Sequence, residues 1–214
     1  MGSGIPGSGG GGFSRGGPID ESSVPEEYQH MLGSVTADTT IPQLRQFVED
    51  GGTIIAIGRS AQNLSQQLGL PVQNALVERN PAGPETPLGR DKFYVPGSLL
   101  EVQIDNENPL AWGMGETADV FFRSSPVFQL PPNAGSQGIQ AVAWFGPEPL
   151  RSGWAWGQTF LETGVAAALA KVGEGNVVLF GPEIHFRAQP HSSFKLLFNA
   201  IYLVSPPGMA GGAH

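Results

Sequence analysis

The sequence has no cysteine, and that one absence removes thiol nucleophiles, disulfides and thiolate metal sites together while leaving the redox compartment open. Basic charge is scarce as well: eleven Lys and Arg against nineteen Asp and Glu give a net charge of −8, and no Lys/Arg cluster reverses that field locally. A phosphate backbone would be repelled, so nucleic acid is not an expected partner. No apolar run approaches the ~20 residues that cross a bilayer, so no membrane span is expected. The opening Met1-Gly-Ser-Gly shows neither the basic nor the apolar stretch of a secretory signal.

What is present suits one domain of ordinary size: 214 residues, 40% of them hydrophobic and 9% aromatic, enough to build a core. Of the 31 glycines, nine lie within the first 17 positions, so the rest of the chain has a globular composition with many loops. Residues 1–17 read as a flexible Gly-rich segment, 18–204 as the folded domain and 205–214 as a disordered tail. Pro25-Glu-Glu-Tyr28 suggests a short helical turn. Thr39 or Thr40 can cap a helix over 40–50 whose Ile41, Leu44, Phe47 and Val48 share a face, with Gly51-Gly52 as its stop.

Thr53-Ile-Ile-Ala-Ile57 is a continuous apolar run of the kind buried on both faces, and Gly58 separates it from a second helix over 60–69. Helix, glycine pair, buried strand, glycine, helix predicts an α/β fold with an open, mainly parallel sheet. Residues 71–97, broken by Pro71, Pro81, Pro84, Pro87 and Pro96, form an excursion. Strands are then expected at 99–104, 119–122, 140–145, 164–171 and 176–180, the last two joined as a late hairpin through Gly173-Glu-Gly175. A closing helix over 192–204, capped by Ser192 or Ser193, carries Phe194, Leu197, Phe198, Ile201 and Tyr202 as an apolar stripe.

The chemistry concentrates at two strand ends. Ile57-Gly58-Arg59-Ser60-Ala61-Gln62 occupies a strand-to-helix corner of the kind that exposes a nucleophile at a helix N-terminus, where free N–H groups stabilise an anion. Ser60 can be read as that nucleophile, with Arg59 beside it, but GxSxG is absent and the commoner use of such a serine is an N-cap. The second corner reads Gly181-Pro182-Glu183-Ile184-His185-Phe186-Arg187. His185 and His191 with Glu183 offer three metal-ligand types, yet Glu-x-His-x5-His matches no common zinc spacing, and a rim histidine is the plainer account. No metal site is therefore assigned. Arg187 and Lys195 can hold a ligand carboxylate or simply pair with Glu183, the ion pair being the blander reading.

Strand, Gly-x-x-x-Gln helix, late hairpin and Phe-x-Pro-Glu corner together resemble the class I glutamine amidotransferase fold. GGTIIAIG, RDKFYVPGSLLEV, NPLAWGMG, FFRSSPVF, PLRSGWAWGQ and VVLFGPEIHFRAQPHSSFKLLFNAIY narrow the likeness to the amidotransferase-like domain that follows the peptidase domain in large bacterial zinc carboxypeptidases of the carboxypeptidase A type. The likeness runs from about Pro25 to Tyr202. It implies that Gly58 stands at the family's cysteine position and Gly181 at its histidine position, so that only Glu183 of the triad survives and the domain is noncatalytic. It implies further that zinc belongs to the peptidase domain, whose His-x-x-Glu motif is absent here, that the peptidase domain is the partner, and that the parent protein is secreted or periplasmic. On this comparison the first strands of the domain are missing from the chain, and an uncovered edge left by them would favour self-association.

Trp112, Trp144, Trp154 and Trp156 form the last group of interest. In Pro149-Leu-Arg-Ser-Gly-Trp-Ala-Trp-Gly157, alternation puts Trp154 and Trp156 on one side if the segment is extended. The favoured reading is a second small core against the excursion. Contact with a peptide or glycan is the alternative.

Overall fold

Thr53–Ile57 and Gly175–Phe180 each carry a continuous apolar run, and the structure, a computed structural model describing residues 21–32, 35–80 and 83–203, pairs them side by side in parallel from Thr53↔Asn176 to Ile57↔Phe180. The segments 1–17 and 205–214 lie outside the described residues. The chain parts into two units, one through Val35 and one from Thr36. In the first, α1 (Glu26–Gln29) starts after Pro25 as expected, and Gln29 Nε2 donates to Val24 O at 3.2 Å.

The second unit holds the α/β fold. Its elements in chain order are α2 (Thr40–Glu49), β1 (Thr53–Ile57), α3 (Arg59–Gln67), the two-residue strands β2 (Gln73–Asn74), β3 (Val77–Glu78) and β4 (Thr86–Pro87) of the excursion, then β5 (Ser98–Ile104), β6 (Thr117–Phe122), β7 (Phe128–Gln129), β8 (Ile139–Ser152), β9 (Val165–Val172), β10 (Gly175–Phe180) and α4 (Phe194–Leu203). An eight-stranded open sheet runs β1-β10-β9-β8-β5-β6, with β7 joining β2 to β9. Among the described residues only the β1–β10 pairing of this sheet is parallel; every other pair is antiparallel. The sheet is therefore mixed rather than mainly parallel. The reason is topological: from β5 to β10 no α-helix intervenes to carry the chain back across the sheet, and strands joined by short connections pair antiparallel.

Side chains alternate along β10 and divide the core into two layers. Val177 and Leu179 pack with Ile41 and Val48 of α2 and Ala61 and Leu64 of α3. Val178 and Phe180 face the opposite side with Ile184, and with Leu196 and Ala200 of α4. On that side Phe122 stands edge-on to both Phe93 and Phe145.

Helix starts depart from the expected caps. At α2, Thr39 makes no side-chain cap; Thr36 and Thr40 instead exchange hydroxyl contacts with each other's backbone N–H at 3.2 and 3.4 Å. At α4 neither serine caps. Ser192 Oγ donates to Asp119 O at 2.9 Å, and the fully buried Ser193 Oγ donates to Ile184 O at 2.7 Å and Pro190 O at 2.9 Å, tying the loop under the helix. The Gly51-Gly52 stop is as expected, with both N–H groups returning to carbonyls of the last helical turn, Val48 O and Phe47 O. Strand β8 runs seven residues past the expected end at Phe145, because the Gly146–Pro149 stretch is taken up in a bulge between Leu100 and Val102 of β5, where prolines lose no ladder bond.

Candidate functional site

Because β1 and β10 lie side by side, the two glycine corners meet at the strands' C-terminal ends. Gly58 N–H donates to Phe180 O at 2.7 Å, and Gly181 follows directly. Gly58 has φ 62° and ψ −135°, a backbone state that only glycine enters without strain, and it is the residue from which α3 starts. A sharp strained turn of this kind, between a strand and a helix, presents a nucleophile in hydrolytic α/β enzymes. Here it presents nothing: a Cβ built on Gly58 would meet open space.

Gly181 is the opposite case. Its N–H donates to Ala166 O at 2.8 Å, and a Cβ there would overlap the Pro126 carbonyl oxygen and approach Ala166 O to 3.4 Å. The backbone itself fills the place of a side chain. Glu183, two residues on, is held by Arg123 across β6: Arg123 Nη2 lies 3.2 Å from Glu183 Oε1, and Glu183 N–H donates to Phe121 O at 3.2 Å. The Arg123 guanidinium lies 5.1 Å from the centroid of the Phe186 ring, which stacks on Phe121 at 4.5 Å and 9°. Arg123 Nε is buried without a partner among the described residues.

Arg123 is the partner that sequence reasoning missed. Arg187 lies over Phe186 at 5.3 Å, and Lys195 Nζ donates to Gly113 O at 2.9 Å, so neither pairs with Glu183. Strain gathers at this corner too, with Ser124, Arg187 and Ala188 all at positive φ. Ser60 is the second residue of α3, exposed, with Gly58 rather than Ser60 in the cap position, and no hydrogen bond joins its hydroxyl to His185 or to any other described residue. Arg59 is exposed beside it. His185 is exposed in the loop, while His191 lies 5.5 Å from the Phe194 ring and lines an open hollow of about 440 Å³ with Phe194, Lys195, Phe198 and Asn199. Among the described residues no three His, Asp or Glu side chains gather around a common point fit for a metal, and no helix is long and apolar enough to cross a membrane.

The tryptophans divide. Trp144 is half-buried against the layer under α2 and α3. Trp154 and Trp156 do pack on the excursion, but they are 54% and 53% exposed and form no second core. Their fixed backbone, not burial, holds them. Trp112 is likewise exposed, its Nε1 donating to Glu107 O at 3.0 Å. It joins Phe198, Ile201 and Tyr202 of α4 among the large exposed apolar side chains.

No protein-family profile matches the chain, and no curated protein does. Three solved structures are similar to it in part: β-galactosidase from Bacillus circulans sp. alkalophilus (13% identity, TM-score 0.46), a putative GMP synthase subunit from Thermoplasma acidophilum (13%, 0.44) and PurLQS from Thermotoga maritima (13%, 0.45). They cover 78%, 79% and 77% of this chain, which in turn spans 21%, 67% and 68% of theirs. The α/β assignment rests on the strand order and register given above.

Proposed function

We propose that this chain is a noncatalytic accessory domain of a bacterial zinc metallocarboxypeptidase, built on an amidotransferase-like corner that has lost its chemistry. The observation that carries the reading is Gly181. A triad needs an imidazole between nucleophile and carboxylate, and at Gly181 the Pro126 carbonyl occupies the space where a side chain would begin. Glu183 supports the same conclusion, since its carboxylate is engaged by Arg123 rather than left to orient a base.

An accessory domain acts by contact, and the exposed apolar residues Phe198, Ile201 and Tyr202 on α4 offer a face of the kind a neighbouring domain covers. Packing on the peptidase domain, or helping it hold a peptide substrate, is the role we assign. Two measurements test the reading separately. The purified chain, with and without added zinc, is expected to show no glutaminase, esterase or carboxypeptidase turnover; turnover abolished by Ser60→Ala would overturn the noncatalytic assignment. The coding sequence upstream of Met1 is expected to carry an in-frame domain with His-x-x-Glu, and an unrelated domain there would overturn the parentage.

A further inference from the structure

The segment Gly153-Trp-Ala-Trp-Gly157 is fastened at alternate residues of its backbone, Trp154 to Ser98 at the start of β5 and Trp156 to Tyr94 of the excursion. Ser98 Oγ accepts the Trp154 N–H at 2.9 Å and donates to Trp154 O at 2.7 Å. Trp156 exchanges both backbone hydrogen bonds with Tyr94, each at 3.0 Å. The flanking glycines make the close approach possible. Gly153 (φ 100°) packs on Ser98 so closely that a Cβ would stand 2.6 Å from its Oγ, and a Cβ on Gly157 (φ 71°) would overlap Lys92 O.

The rings are fixed as firmly as the backbone. Trp156 Nε1 donates to Asp91 O at 2.7 Å, Trp154 stands edge-on to Tyr94 at 5.8 Å, and Arg90 lies over the Tyr94 ring at 5.4 Å. Phe160, 45% exposed, adjoins Gly157. Two indoles are thus held rigid and more than half exposed, which hydrophobic burial does not explain. Rigidity in the free state is what a binding surface gains from, because the ordering cost falls on folding rather than on association.

We propose that this ridge is a platform for a neutral polysaccharide, whose pyranose rings stack on Trp154 and Trp156. The large exposed side chains of the ridge are all aromatic, and the negative face of an indole attracts the polarised C–H face of a sugar ring. The Trp156 N–H is already engaged, so stacking is what that ring offers. Arg90, over the Tyr94 ring, and Asp91, whose backbone carbonyl holds the Trp156 indole, are exposed residues whose side chains have no salt bridge or hydrogen bond among the described residues. Together they supply donors and acceptors, which matches hydroxyl groups that do both. The net charge of −8 disfavours an acidic glycan.

The test is affinity electrophoresis of the full chain in gels containing hydroxyethylcellulose, xylan, galactomannan or amylopectin, followed by tryptophan-fluorescence titration with oligosaccharides of whichever polymer retards it. At least one polymer should slow migration. Trp154→Ala should weaken binding roughly tenfold while Trp154→Phe retains most of it, since only the stacking face is needed. Asp91→Ala should weaken it several-fold with an unchanged melting temperature. No retardation in any gel, or retardation unaltered by Trp154→Ala/Trp156→Ala, overturns the proposal. So does fluorescence quenching by a proline-rich peptide and by none of the sugars, which would assign the ridge to a protein ligand.

Discussion

Substituting the two corner glycines separates an empty place from a filled one. At Gly58 a side chain meets open space, and the whole cost is backbone strain at φ 62°, ψ −135°, of order 1–3 kcal/mol. That cost should be the same, within about 0.5 kcal/mol, for Gly58→Ala, Gly58→Ser and Gly58→Cys, because size is irrelevant where nothing is touched. At Gly181 the first added methyl group overlaps the Pro126 carbonyl oxygen and approaches its carbon to 3.3 Å. Both are backbone atoms, so no rotamer change relieves the clash. Overpacking of this kind costs ~2–3 kcal/mol for alanine and more for anything larger. In a chain of this size Gly181→Ala should lower the melting temperature by roughly 5–10 °C. Urea denaturation of the two series, with midpoints compared at unchanged slope, reads the contrast directly. Rebuilding the triad as Gly58→Cys/Gly181→His should give no glutaminase activity. Gly181→Ala within 0.5 kcal/mol of the wild type, taking ~0.5 kcal/mol as the scatter of neutral substitutions, would refute the reasoning. So would a Gly58 series whose cost climbs with side-chain volume.

Three further outcomes are expected. Ser193→Ala should cost about 1–3 kcal/mol in chemical denaturation, since the lost hydroxyl leaves Ile184 O without its donor in a buried place, while Pro190 O keeps the Ser193 N–H. Arg123→Lys should destabilise almost as much as Arg123→Ala, about 1 kcal/mol in a thermal melt, because an ammonium keeps the charge opposite Glu183 but not the planar contact with Phe186. Phe198→Lys/Tyr202→Lys should remove any concentration-dependent association seen by sizing chromatography while leaving the melting temperature within about 2 °C, both rings being more than half exposed.

The strands with unbroken apolar runs were legible in the sequence, as were the Gly51-Gly52 stop, the late hairpin and the adjacency of the two corners. Pairing direction was the misread step. Helix–strand–helix from Thr40 to Gln67 does signal a parallel neighbour, and β1 has one, but five successive strand signals with no helix between them point to antiparallel pairing. The caps misled for a different reason: a serine or threonine before a helix satisfies the local rule, yet Ser192 and Ser193 spend their hydroxyls on carbonyls far away in sequence or beneath the helix. Arg123 could not be matched to Glu183 from spacing or from strand order, since β9, β8 and β5 lie between β10 and β6 and only the three-dimensional course of the sheet and the loop after β10 bring the two side chains together. The exposure of Trp154 and Trp156 was equally hidden, because an indole has the same letter whether it fills a core or faces water.

The single parallel pairing also orders the birth of the molecule. Strand β10 lies between β1 and β9, so an early strand finds its neighbour only when one of the last has been made. On the ribosome, α2, β1 and α3 emerge with Ile54, Ile55 and Ile57 unclaimed, while β5 through β9 can assemble hairpin by hairpin from contacts closer in the chain. The nascent N-terminal piece is then a loose end in search of a sheet, and the period between its synthesis and that of β10 is when a holdase chaperone, or a misfolded neighbour, would find it. Moving α2–β1–α3 behind β10 by circular permutation would close that interval, and a higher soluble yield with an unchanged melting temperature would mark the delay as kinetic.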